Sequence, residues 1–172
     1  DVANRICDKL IKRHPHVYGD LEANSDEEVK QNWEKIKLKE NNKGVLSGVP
    51  ASLPPLVKAY RMQEKAAGVG FDWQHINGVV QKIEEELREF YFEVNQKNQN
   101  RAEEEFGDLL FSLVNYARFM GINPDNALSN ANQKFRKRFE KMESKISDRQ
   151  IEMGQLDLDK WEKLWREVKS EN

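Results

Sequence analysis

The chain has 172 residues, and 34% of them are Asp, Glu, Lys or Arg, yet 28 basic against 30 acidic side chains leave a formal net charge of −2. So even a balance argues against a protein that coats nucleic acid or another extended polyanion, and no window approaches the ~18 uninterrupted apolar residues of a membrane span. A single Cys excludes a disulfide framework, the three His form no zinc-type cluster with it, and four Trp and eight Phe argue against disorder.

With 38% apolar residues, the chain can build one core, or one domain and a short extra piece. No leader pattern follows Asp1, and the expected location is the cytoplasm. Residues 1–14 read as the tail of a helix with Val2, Ile6, Leu10 and Ile11 on one face. His14-Pro15-His16 closes it, because a proline disfavours helix at the residue before it. Cys7 reads as a core residue. A chain that opens inside a helix reads as part of something longer. An echo between Lys9-Leu10-Ile11-Lys12-Arg13 and Lys134-Phe135-Arg136-Lys137-Arg138 suggests a repeat, although a Lys/Arg-rich helical chain also produces such an echo by chance.

Ser25-Asp26-Glu27-Glu28 is a helix start with acids in the first turn. That helix runs to about Glu40 with Val29, Trp33, Ile36 and Leu38 inward. Residues 41–55 hold two Gly and three Pro and form the clearest linker. A helix follows from about Pro54 to Ala67, carrying Leu56, Val57, Tyr60 and Ala67. Gly68 to Trp73 break it, and Asp72 or Asn77 is suited to cap what comes next. Further helices are expected at about 76–97, 100–119, 124–147 and 157–169. Gly121 and Pro124 mark a stop and a start between two of them. Almost no segment alternates with period two, so strands are not expected. The fold class is all-α, a helical bundle with a long N-terminal arm.

The two central helices carry the chemistry. Ile83, Leu87, Phe90 and Val94 form an apolar stripe, and Glu86, Glu89 and Glu93 form a second stripe beside it. On the next helix Phe106, Leu109, Leu113 and Ala117 form the core stripe. Glu105, Asp108 and Ser112 lie beside that one, with Asn115 a turn further on. The connection from about Gln96 to Asn100 is short, so the two helices are antiparallel neighbours and their acidic stripes can face each other. Carboxylates facing at close range cannot all stay ionised without a counter-charge. Oxygen-only donors favour a hard divalent cation, Mg²⁺ by default and Mn²⁺ as a substitute. A di-iron bundle would use Glu-x-x-His, and His14, His16 and His75 are not in that motif. A single Glu pair at i, i+3 in so charged a chain is commonly just a solvated face. Two pairs on consecutive helices, both bordering the core, favour a metal. Gly107 adds to this, since Gly inside a helix costs about 1 kcal/mol relative to Ala and close packing or ligand approach would justify it.

Glu85-Glu86-Leu87-Arg88-Glu89, followed by Glu104-Glu105-Phe106-Gly107-Asp108 and the run to Asn115, resembles the MazG family of nucleoside triphosphate pyrophosphohydrolases. That family's signature is Glu-x-x-Glu on one helix and Glu-x-x-Asp on the next. Flanking blocks resemble it too: Arg13-His14-Pro15-His16-Val17-Tyr18-Gly19-Asp20, Gly70-Phe71-Asp72-Trp73, and Lys134-Phe135-Arg136-Lys137-Arg138-Phe139. The resemblance covers nearly the whole chain in the same order. It implies an all-α bundle completed by a tight homodimer. It also implies residues 1–20 as the tail of an upstream MazG domain, 21–49 as a connecting helix and linker, and 50–172 as a MazG domain.

The implied activity is hydrolysis of a nucleoside triphosphate to the monophosphate and pyrophosphate, by water attack at the α-phosphorus with Mg²⁺ on the phosphates. Carried over by position, the metal ligands are Glu86, Glu89, Glu105 and Asp108. Glu86 and Glu89 are both candidates for the general base. Lys134 and Arg138 share a helix face at i, i+4, match the family's Lys-Phe-x-x-Arg block, and are assigned to the outer phosphates. Otherwise they read as part of a solvated basic face. Glu93 extends the acidic stripe, and Asn115 is suited to sugar or a metal-bound water. Trp165 is either a base-stacking platform or a helix-docking hydrophobe, with Phe71 and Trp73 as further aromatics at the break between helices; Trp33 and Trp161 are assigned to packing or interface. Arg61 and Lys65 fit a phosphate role or a plain surface equally. His14 and His16 beside Arg13 look like a ligand cluster, but a helix terminus explains them better. Two other functions are open: a helical interaction or dimerisation module without catalysis, and a narrower enzyme for dUTP, dCTP or a damaged nucleotide.

Overall fold

Punctuation along the chain fixes the helices. The computed structural model describes residues 1–19, 25, 28, 29, 32, 36 and 44–171, and no strand occurs among them. Helix α1 (Val2–Arg13) ends at His14, and a single turn, α2 (Pro15–Tyr18), follows. After a 3₁₀ turn at Val45–Gly48 come α3 (Pro55–Ala67), α4 (Ile76–Asn95), α5 (Gln99–Phe119) and α6 (Pro124–Asp148). A second 3₁₀ turn at Met153–Gln155 leads into α7 (Leu158–Ser170). The expected helix from Ser25 to Glu40, with Trp33 and Leu38, lies almost wholly outside the described residues.

Each boundary has a local cause. Pro55 sits in the first turn of α3, where its missing N–H costs nothing. Asp72 and Asn77 do not cap α4 as the sequence suggests. Its N-cap is His75, without a side-chain cap bond, and Asp72 bonds elsewhere. The Asn98 side chain accepts the Arg101 N–H at the start of α5. Gly121, at φ 65°, closes α5. There the Ile122 N–H donates to the Ala117 carbonyl at 2.8 Å and the Gly121 N–H to that of Arg118 at 3.1 Å, the paired C-cap that a left-handed residue permits.

The chain divides into two units, Asp1–Pro124 and Asp125–Asn172. In the first, α4 and α5 form an antiparallel hairpin, and α3 lies on α5. Phe90 meets Phe106 with ring centroids 5.5 Å apart, which sets the register. Val79, Ala102, Leu109 and Val114 are buried, and so are the polar Gln63, Glu86 and Ser112. The expected apolar stripes are only partly covered. Phe106 and Leu113 are 46% and 45% exposed, and Leu87 and Val94 are 38% and 45% exposed. A helix pair with one helix laid on one side leaves its other apolar face open. Val2, Ile6 and Leu10 of α1 are likewise exposed, and Cys7 is an exposed free thiol where a core residue was expected. Gly107 shows no packing reason. A Cβ placed there meets nothing within 4 Å.

In the second unit α6 and α7 enclose a small core of Met142, Ile146, Leu164 and Val168, flanked by Leu156, Trp161 and Trp165. Ile146 and Val168 are almost fully buried, and each contributes about 1.5–3 kcal/mol by leaving water. Phe139 stacks on Trp161 with centroids 6.0 Å apart. Lys145 bonds Glu167 and Glu171 at 2.8 Å each, and Arg149 bonds Glu167 at 2.6 Å. No helix of the described residues is long and apolar enough to cross a membrane.

Candidate functional site

The antiparallel register of α4 and α5 brings the two acidic pairs together. Carboxylate oxygens of Glu86, Glu105 and Asp108 lie within 4.8 Å of one another, and so do those of Glu85, Glu86 and Glu89. Glu86 belongs to both groups and is 4% exposed. Glu105 is half-buried, and its carboxyl is pushed above the usual carboxylate range. Desolvation is the main cause, followed by the charges of Glu89, Glu86, Asp108 and Glu93. One cation already answers this crowd. Lys82, a turn before Glu86, bonds Glu85 at 2.8 Å and Glu86 at 2.6 Å. Those hydrogen bonds, to Glu85 first and then Glu86, hold its ammonium above the ordinary lysine range.

Against the acidic cluster lies a cavity of about 900 Å³. That is the size of a small-molecule site. Lys82, Glu86 and Asp108 contribute to its wall, together with Met62, Phe71, Trp73, Phe111 and Asn115. The segment Gly70–Trp73 is fastened to α5. Asp72 Oδ1 accepts from Arg118 Nη2 and from the Trp73 N–H. Asn115 Oδ1 in turn accepts from Arg118 Nε at 3.0 Å and Nη2 at 2.9 Å. The Trp73 ring lies against α4 at Gly78, where a Cβ would come within 2.5 Å of Cε3. A side chain at position 78 would push the indole away.

Of the residues expected from sequence, Glu86, Glu89, Glu105 and Asp108 converge in these two overlapping groups. Glu93 is half-buried and close enough for its charge to act on Glu105. Asn115 lines the cavity, but its oxygen is committed to Arg118, so it offers N–H donors. Lys134, Arg138 and Trp165 stand in the second unit. There Lys134 is exposed, the Arg138 guanidinium lies 5.7 Å from the centre of the Trp165 ring, and its buried Nε has no hydrogen-bond partner. Trp165 packs on the core of that unit and against Phe135 at 5.5 Å. Arg61 is exposed and paired with Glu64 at 2.6 Å. The imidazole of His14 bonds the Leu10 carbonyl at 2.7 Å, a helix-terminus role.

Lys82, the Asp72–Arg118 pair and Gln63 were not singled out in the sequence. Lys82 had a local signal, since it lies four residues before Glu86 on the same face. The others join positions 46 and 48 residues apart and leave no local trace.

Paired carboxylates on a helical hairpin, with a ligand-sized cavity beside them, define a helical protein built around a candidate metal centre. Residues 74–142 match the MazG nucleotide pyrophosphohydrolase domain. The nucleoside triphosphate pyrophosphohydrolase of Escherichia coli strain K12 is 42% identical over 175 residues, which cover 98% of this chain and 66% of that protein. The Thermotoga maritima nucleoside triphosphate pyrophosphohydrolase/pyrophosphatase MazG is 41% identical over 172 residues, covering 98% of this chain and 65% of that protein. YabN of Bacillus subtilis, described as uncharacterized, is 42% identical over 173 residues, 98% of this chain and 35% of its own length. This chain therefore belongs to the MazG family. It spans just under two thirds of the length of the Escherichia coli and Thermotoga maritima relatives.

Proposed function

We propose that the chain hydrolyses nucleoside triphosphates to the monophosphate and pyrophosphate, with Mg²⁺ as its cofactor and Mn²⁺ as a substitute. The observation that carries this is the convergence of Glu86, Glu105 and Asp108, with Glu89 alongside, where Glu86 and Asp108 line a ligand-sized cavity. The donor set fits a hard divalent cation, being carboxylate oxygen throughout, crowded and short of positive charge. A cation bound there would neutralise the triphosphate and polarise the α-phosphorus. The chain's own groups do the rest. Glu86 or Glu89 takes a proton from the attacking water. The new P–O bond forms at the α-phosphorus as the bond to the β-phosphate bridging oxygen breaks, and pyrophosphate departs with the electron pair.

In the same proposal Lys134 and Arg138 meet the β- and γ-phosphates, and Glu93 and Asn115 serve as outer members. Residues 50–172 form the pyrophosphohydrolase domain, and 21–49 connect it to 1–20, which the family resemblance implies as the tail of an upstream MazG domain. The enzyme works in the cytoplasm as a homodimer, with the open apolar face of α4 and α5 as the seam.

Pyrophosphate release from ATP, GTP and the dNTPs in Mg²⁺ tests the reaction. Glu89→Ala and Asp108→Ala are each expected to lower it at least ~10²-fold, the scale for losing one transition-state electrostatic contact. Normal turnover in both variants would refute the site. The acidic surface as a mere docking patch is separated by calorimetry, because such a patch takes up no stoichiometric Mg²⁺.

A further inference from the structure

One polar side chain in the cavity has no part in the reaction proposed above. Gln63, on α3, is 7% exposed and lines the cavity. Its Nε2 donates to the backbone carbonyl of Phe111 on α5 at 2.8 Å. A carbonyl only accepts, so the amide cannot be turned over, and Oε1 is held as the opposite end. That Oε1 is buried and has no hydrogen-bond partner. Folded proteins rarely leave a buried amide oxygen without a donor, and one that persists calls for an explanation. Close by, the wall is apolar and aromatic: Met62, Ala66, Val69, Phe71, Trp73 and Phe111. An apolar, partly aromatic stretch of wall with an oriented, unpaired acceptor in it suits a heteroaromatic ring that carries an N–H on its edge. Asn115 has the opposite character, because Arg118 holds its oxygen and leaves its N–H groups to donate.

We infer that Gln63 is a base-recognising residue, its Oε1 accepting an edge N–H of a nucleobase seated between the aromatic walls of this cavity. The inference rests on the pyrophosphohydrolase reading for the identity of its ligand. Chemistry at the carboxylates needs only the phosphates, so Gln63 governs affinity and choice of base. It is not a catalytic residue.

The test compares ATP with purine riboside triphosphate, which differs only in lacking the 6-amino group and so has no edge N–H. Affinities are measured by calorimetry in Ca²⁺, which binds phosphates with looser geometry than Mg²⁺, and pyrophosphate release is followed separately in Mg²⁺. The wild-type protein is expected to bind ATP at least ~10-fold more tightly, as for a buried acceptor left without its donor. In Gln63→Met, which keeps the volume and removes the acceptor, the two ligands should bind equally. Equal binding by the wild-type protein overturns the inference without any variant, and so does a preference that survives in Gln63→Met. A preference for ATP with no pyrophosphate release from any nucleotide supports base recognition and overturns the reaction alone. Absence of ATP binding overturns the inference, and absence of pyrophosphate release from every nucleotide overturns the reaction.

Discussion

Gly78 shows how one missing carbon shapes the site. It lies in the first turn of α4, and the Trp73 indole occupies the space a Cβ would need. Replacing it by alanine has two opposed effects. The helix gains at most about 1 kcal/mol, while the overlap costs about 1–3 kcal/mol if nothing moves. Trp73 is 48% exposed and sits on a loop, so the ring swings aside and most of the overlap is relieved. Gly78→Ala is therefore expected to melt within a few degrees of the wild-type protein. Its KM for nucleoside triphosphates should rise several-fold, because the indole has left the cavity wall. Unchanged KM in steady-state assays would show that Trp73 is not part of the binding wall. Gly107 is the contrasting case. From the sequence only Gly107 looks like a helix defect in need of a reason, yet the structure supplies a close neighbour at Gly78 and none at Gly107.

At the scale of elements, the boundaries of α3 to α7 were legible because their causes are local. Pro55, Asn98, Gly121 and Pro124 each act within a turn of their own position. The acidic pairs on α4 and α5 were legible for the same reason, since a spacing of three residues and a short connection suffice to bring them face to face. What joins α3 and the Gly70–Trp73 segment to α5 was not legible. Gln63 with Phe111, and Asp72 with Arg118, depend on how helices lie against one another, and neither pair has a periodic signature. Burial was misjudged on α4 and α5 because hydrophobicity says a face seeks cover without saying that the same chain supplies it. Between α6 and α7 the ion pairs make a pH prediction. Hydrogen bonds from Lys145 and then Arg149 hold the Glu167 carboxyl below its usual range. A depressed carboxylate adds stability at pH values above its unfolded pKa, and that stability is lost as pH falls through the folded value. Lys145 is shifted the other way, up, by its hydrogen bonds to Glu167 and then Glu171, so its share persists to alkaline pH. These side chains are partly solvated, so the effect is small and screened by salt. Glu167→Gln should melt below the wild-type protein at neutral pH and low salt. The gap should close as pH drops below about 4, in thermal scans followed by circular dichroism.

For the molecule as a whole, the open face of the α4–α5 hairpin is the seam of the proposed homodimer. Val80, Leu87 and Val94 recur every seven residues on α4, and Phe106, Leu110 and Leu113 follow i, i+4, i+7 on α5. All are at least 37% exposed. Two such stripes side by side make an apolar seam of the kind helix pairs bury against a second helix pair. With the homodimer proposed above, the wild-type chain is expected to sediment as a dimer, and Leu110→Glu should shift it to monomer by placing a charge in the seam. A monomeric wild-type chain in analytical ultracentrifugation would remove the dimer from the proposal. The acidic cluster itself lies within one chain, so its geometry does not depend on this outcome.

Lys82 has a consequence for the order in which this protein becomes functional. Its ammonium is tethered beside Glu86 and Glu85 and offsets part of their mutual repulsion from within the chain. Folding thus does not have to wait for an ion, and the hairpin closes on its own internal counter-charge. With the cofactor proposed above, loading would be an exchange in which an incoming cation competes with a resident ammonium for the same oxygens. Such a competition weakens binding of the bare ion and favours the ion that arrives already escorted by phosphates, whose negative charge gives the displaced lysine a new partner.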